Sequence, residues 1–188
     1  MNRTSTKEPV EIDPGFRLSR PLAKGFPDAD PLASECAVAI VRTYILLADR
    51  LGAQLRPFGV SLTGFLILGL LRVSGGTLRP STIACWLRMT RGTVTGLLDS
   101  LEKRGLVRRL DHPTDRRMLS IALTDKAVEL QAKMLPTMFR TDQEVMTDLT
   151  VAEREELIRL LGKVQRRLLA GVQRDADDGS DNQLVASG

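Results

Sequence analysis

Apolar residues recur along most of this chain at steps of three and four, the spacing of one helix face, and a single short stretch switches to strand spacing. Asp30 followed by Pro31 reads as a capped helix start, because the carboxylate accepts from free amides and proline gives up a donor the first turn does not need. The helix is expected to reach about Arg56 with Ala37, Ile40, Val41, Tyr44, Leu47, Ala48 and Leu51 as one stripe, and Pro57 and Gly59 stop it. Ser61 caps a second helix to about Val73. Its Leu62, Phe65, Leu66, Leu68, Gly69 and Leu71 lie nearly all round, which predicts a central position.

After Ser74, Gly75 and Gly76, Pro80 begins a short helix to Leu87. A tight turn follows, and Thr90 caps the next helix, Arg91 to Arg104, with Val94, Leu97, Leu98 and Leu101 facing inward and Gly105 ending it. Residues 106–110 and 118–123 have strand length and pattern, and the turn-rich Asp111 to Asp115 between them makes a β-hairpin. Thr124 opens a long helix to about Leu149, which Pro136 should kink or split. Thr150 and Glu153 form a capping box for a last helix, whose Leu157, Leu160, Leu161, Val164 and Leu168 make a narrow stripe. The organisation predicted is a flexible arm over residues 1–29, a folded region over 30–172, and a disordered acidic tail over 173–188.

Composition narrows the class. With 43% hydrophobic and 27% charged residues in 188, the balance is that of a globular domain able to bury a core. No uninterrupted apolar run has the roughly 18 residues of a membrane span, and residues 1–13 lack the apolar stretch of a secretory signal, so a cytoplasmic protein with no membrane partner is expected. Two cysteines, Cys36 and Cys85, and one histidine, His112, argue against a disulfide scaffold, a metal site or a metal cofactor. No nucleophile stands with a base and no glycine loop could cradle phosphate, so no catalytic residue is named and no enzyme is expected.

The net charge of +4 is permissive of nucleic-acid binding, and its distribution says more. Between Arg88 and Arg117 stand eight basic and four acidic residues, whereas residues 1–30 balance five against five. The capped helix presents Arg91, Thr93, Thr95, Ser100 and Lys103, able to reach base edges or phosphates, with Arg88 in the turn before it. Taken alone it could equally be an amphipathic helix with a solvated basic face. The hairpin changes that balance: Arg116 and Arg117 crowd two guanidinium groups at its tip, where an arginine can enter a narrow minor groove, and Asp115 could orient one of them. The predicted fold class is mainly α with a small β-hairpin wing (α+β), a winged helix-turn-helix over about 61–124.

The run STIACWLRMTRGTVTGLLDSLEKRGLVRRLDHPTDRRMLSIALT, Ser81 to Thr124, resembles the DNA-binding core of the multiple-antibiotic-resistance regulator (MarR) family. The resemblance rests on Thr93-Val94-Thr95 through Leu101-Glu102-Lys103-Arg104-Gly105-Leu106-Val107 and on the string His112 to Arg117 leading to Leu123 and Thr124, and it continues from about Pro31 to Leu169. It implies a homodimer joined by helices over about 31–56 and 125–170, a double-stranded, roughly palindromic DNA operator, and repression relieved by a small aromatic or phenolic effector or by an oxidant. The leucine row of the last helix agrees, since a partner helix is its natural cover.

The chain departs from the family pattern in several places. Arg88 stands where the tight turn usually has glycine, and Gly96 where a basic or polar residue is common. Cys85 and Trp86 occupy usually polar steps, so Trp86 packs on the first or second helix or faces an effector cleft or solvent. Cys36 lies about where the family's organic hydroperoxide regulators keep a reactive cysteine, but Ile40 and Arg50 stand where those proteins have tyrosines, so a buried, inert thiol is the expectation. Two rival readings remain: a peroxide sensor acting through Cys36, and a helical interaction protein that keeps the fold without binding DNA.

Overall fold

The computed structural model describes residues 21, 23–111 and 119–185, with side chains up to residue 171. Two compact units divide between Gln131 and Ala132. The first unit holds α1 (Pro31–Leu55), α2 (Leu62–Val73), β1 (Thr77–Leu78), α3 (Pro80–Leu87), α4 (Arg91–Lys103), β2 (Val107–Asp111), β3 (Leu119–Leu123) and the start of α5 (Asp125–Val145). The rest of α5 and α6 (Val151–Val185) form the second.

Local chemistry sets the helix ends. Asp30 Oδ1 accepts from the amides of Leu32 and Ala33, both at 3.0 Å, and Ser61 Oγ accepts from Gly64 at 3.0 Å. A 3-10 turn at Arg56–Phe58 follows α1, and Gly59 turns left-handed at φ 65°, a backbone state cheap only for glycine. Thr124 accepts from Ala127 at the start of α5 and donates to the carbonyls of Gly105 and Leu106 at 2.8 and 3.1 Å, so one hydroxyl joins three segments.

The core of the first unit gathers Leu55, Ile67, Leu68, Leu71, Ile83, Val94, Leu98, Leu106 and Ile121 from α1 to α4 and the sheet, all at 2% exposure or less. The expected central helix α2 thus supplies its middle. Buried Gln131 accepts from Arg72 at 3.3 Å, which satisfies its amide oxygen. The sheet has the antiparallel order β1-β3-β2, with Val107 opposite Leu123 and Arg109 opposite Ile121. β1 was not expected. It has two residues and follows a glycine pair, so it carries no alternation to read; the register Thr77 with Ala122 and the bond from Leu123 N to Gly76 O create it.

Two expectations need correction. Of the kink or split expected at Pro136, the split does not occur, as α5 runs through to Val145; proline removes a single donor, and the surrounding ladder continues. The tail expected to be disordered from residue 173 instead continues α6 to Val185, and no proline after Pro136 interrupts the propagation of hydrogen bonds. The expected capping box is present: Thr150 N and Oγ1 lie 2.8 and 2.7 Å from Glu153 Oε2, and Glu153 N donates back at 3.3 Å.

Of the arm expected over residues 1–29, a 3-10 turn at Ala23–Gly25 is described and residues 1–20 lie outside the described region. The stripe of α1 is covered only near its C-terminal end, where Leu55 is fully buried; Val41 and Tyr44 are 57% and 67% exposed. This helix is also long and apolar enough to cross a membrane, with a mean hydropathy of 1.5 over its best window, although Glu35 and Arg42 interrupt any continuous apolar run.

Candidate nucleic-acid interface

α3, the turn at Arg88 and Met89, and α4 form the helix-turn-helix. Arg88 adopts φ 55° and ψ 41°, and it is the one described non-glycine residue with positive φ. A side chain there costs on the order of 1 kcal/mol, because Cβ crowds the following carbonyl. The expectation of an uncomfortable left-handed turn is met, and the strained residue is an exposed cation at the entrance to α4.

Thr90 closes that entrance. Its Oγ1 accepts from Thr93 N at 3.2 Å and lies 2.9 Å from Thr93 Oγ1. An open hollow of about 440 Å³ lies here, lined by Ser81, Cys85, Arg88, Met89, Thr90 and Arg91 among others. Two arginines, two hydroxyl residues and the positive end of the helix dipole border it, a combination suited to phosphate.

Along α4, Val94, Leu98 and Leu101 are buried, whereas Arg91, Thr93, Thr95, Ser100 and Lys103 are all exposed. The helix period sorts them as expected. Thr95 Oγ1 donates to Arg91 O at 2.9 Å, so its hydroxyl has lone pairs to offer a base amino group while its proton is engaged. Gly96 has nothing within 4 Å of where a Cβ would stand and leaves the middle of the exposed face flat.

Reading by charge treated every arginine in the basic segment alike, and the structure separates them. Arg88, Arg91, Lys103 and Arg108 are exposed. Arg104 turns back instead, its Nη2 donating to Phe58 O at 2.9 Å and its Nη1 to Gly59 O, so it clamps the end of α4 to the turn after α1. Lys126 Nζ donates to Arg104 O at 2.7 Å. Arg109 is ion-paired with both Asp99 and Glu102 of α4, and its amide donates to Glu102 Oε1 at 3.0 Å. The hydrogen bond to Asp99, with the charges of both carboxylates, holds this guanidinium above its ordinary value.

The signal for Arg109 was present in the period of two. Val107 is buried, so Arg109 shares its face of β2 and Arg108 does not. What the sequence did not say is which acids would meet it.

Asp115, Arg116 and Arg117 lie outside the described residues; β2 and β3 lead to and from their segment. Cys36 was expected to be buried and is exposed, because the N-terminal part of α1 has no cover within the described residues. Trp86 is 54% exposed, so about half of its surface stays open to solvent. α3 has only eight residues and buries Ile83 and Ala84, leaving little inward arc for an indole. Among the described residues no cluster of ligating side chains could hold a metal.

Residues 60–119 match the model of the MarR family. Over 176 residues the chain is 28% identical to the transcriptional repressor MprA of Escherichia coli (strain K12), covering 93% of this chain and 95% of that protein. Among solved structures, it is similar to AbsC, a MarR family transcriptional regulator from Streptomyces coelicolor, with a TM-score of 0.66, 26% identity and coverage of 76% and 96% of the two chains. It is also similar to a cysteine-to-serine mutant of MarR from E. coli complexed with operator DNA, with a TM-score of 0.61, 26% identity and coverage of 66% and 90%.

Proposed function

We propose that the chain, whose residues 60–119 match the MarR family model and which is similar along most of its length to the transcriptional repressor MprA, is a regulator of that family and acts as a homodimeric repressor reading a palindromic operator in the cytoplasm. One observation carries the reading: Arg88, Arg91, Thr93 and Thr95 crowd the capped entrance of α4 with their side chains exposed, over a helix whose other face is locked into the core. Thr93 and Thr95 take the base-reading role, and Arg88, Arg91, Ser100 and Lys103 the phosphate role. Arg116 and Arg117 at the hairpin tip bind the adjacent groove, with Asp115 orienting one of them. A second copy covers the apolar faces that α1 and α6 leave exposed, including Val41, Tyr44, Ile45 and Leu46 on α1 and Ile158, Leu160 and Leu168 on α6. This accounts for the hydropathy of α1 without a membrane.

The test is enrichment of duplexes from a random pool, followed by titration against the unselected pool at several salt concentrations. A selected sequence with dyad symmetry, bound with a steep salt slope, is expected. Equal affinity for both pools would leave a helical interaction protein as the better reading. Arg117→Ala is expected to weaken both pools and reduce the slope by about one contact, and Thr95→Ala to erode preference by about 1–3 kcal/mol.

Release is proposed to follow binding of a small aromatic or phenolic effector, as the family resemblance implies, with exposed Trp86 as a contact and a fluorescence reporter. The exposure of Cys36 favours a second reading in which an oxidant acts on that thiol. Peroxide treatment of Cys36→Ser protein decides between them: release that survives the substitution removes the cysteine from the mechanism.

A further inference from the structure

We infer that Arg109, which touches no base in this reading, is a positioning residue: its fork to Asp99 and Glu102 sets the hairpin at a fixed angle to the recognition helix and offsets part of the negative charge of two carboxylates beside the DNA. The inference rests on α4 being the DNA-reading helix.

The geometry is specific. Arg109 lies on the face of β2 shared with Val107 and opposite Ile121, both buried, so its guanidinium leaves the strand toward α4 rather than toward solvent. Asp99 and Glu102 are three residues apart on α4, hence neighbours on its surface, and Arg109 spans them with Nη2 on one and Nη1 on the other. The Arg109 amide adds a bond of 3.0 Å to Glu102, so backbone and side chain of the strand are held by one acid. Ser100 and Lys103, exposed on the same helix, directly follow the two acids in sequence.

Two bare carboxylates this close to a phosphate-facing surface would repel DNA, and the single positive charge of Arg109 offsets one of their two negative charges and so weakens that repulsion. The fork also fixes where β2 starts toward the hairpin tip. A two-pronged planar group can hold two acids at once, which a lysine ammonium does as a point charge without the same directional lock.

The proposal predicts a loss of selectivity that simple electrostatics does not. Removing acids from a DNA-binding protein should tighten its grip on any DNA. For Asp99→Ala combined with Glu102→Ala, both compatible with a helix, affinity for the unselected random duplex is expected to hold or rise while the ratio of selected to unselected binding falls by at least about tenfold. Arg109→Ala is expected to lower the same ratio without reducing the salt slope on random duplex, and Arg109→Lys to lie between it and the wild type. An unchanged ratio in the double variant, or a slope in Arg109→Ala reduced by about one as for a lost phosphate contact, overturns the proposal.

A measurement without DNA keeps the two readings separate. Amide hydrogen exchange over Val107 to Leu110 is expected to accelerate in Asp99→Ala and Glu102→Ala protein, since the strand loses its tie to α4. Unchanged exchange sinks the staple even if the wild type selects an operator. Failure of the wild type to select any sequence sinks the regulator reading, while exchange still judges the staple.

Discussion

The proposed recognition helix α4 and the last helix α6 carry similar apolar stripes and meet opposite fates. In α4, Val94, Leu98 and Leu101 are 5% exposed or less, and Asp99, Glu102 and Arg104 tie its flank and end to β2 and to the turn after α1. In α6, Leu160, Val164 and Leu168 are 45%, 43% and 65% exposed in the single chain. The first helix finds its partners within its own compact unit, from the turn after α1 to the adjacent sheet. The second does not, and an uncovered leucine row is a surface for another chain. One chain thus holds a self-contained helix-turn-helix unit and a last helix whose apolar face is uncovered.

The strongest way to break this contrast is to attack the core of the helix-turn-helix unit. Leu98→Ala should cost about 2–5 kcal/mol of unfolding free energy, because a cavity opens where several elements meet; chemical denaturation measures it, and a loss below about 1 kcal/mol would mean the helix is not locked as described. Next comes Leu160→Glu on α6. Glutamate spares the helix, so chain stability at fixed association should barely move, while self-association weakens by about 2 kcal/mol, roughly thirtyfold in Kd. Sedimentation over a concentration series reads this out, and an unchanged dimer would exclude α6 from the interface.

Smaller effects sharpen the comparison at the helix ends. Thr90→Ala removes the acceptor for Thr93 N and should cost about 1 kcal/mol in thermal unfolding. Gly96→Ala works in the opposite direction: with open space at the Cβ position, it should stabilise α4 by roughly 0.5–1 kcal/mol. At α6 the expected effect is smallest. Thr150's hydroxyl and amide hold the exposed Glu153 carboxyl below its ordinary value. A group depressed on folding stabilises above its unfolded pKa and loses that contribution as pH falls through the folded one. Circular dichroism across the acidic range should therefore show α6 fraying first at low pH, and Thr150→Ala should flatten that dependence.

Much of the architecture is legible in the order of residues. The capping residues Asp30, Ser61, Thr90 and Thr150, the proline starts and the helical stripes act over three or four residues, so sequence alone carries them. The exposed set on α4 follows from the same period. Less visible are features assembled across the chain: β1 exists through pairing with β3, and Arg104 and Arg109 count only as cations of the basic segment until their partners are known. Composition counts charges, but it does not say which are already neutralised.

The amino-acid order by itself determined where helices begin and which of their faces are apolar, because these depend on neighbours a few bonds away. Only the tertiary structure decided which faces find cover, leaving Cys36 and Trp86 in the open and turning Arg104 and Arg109 inward, because burial and ion pairing depend on residues that folding brings together from distant parts of the chain.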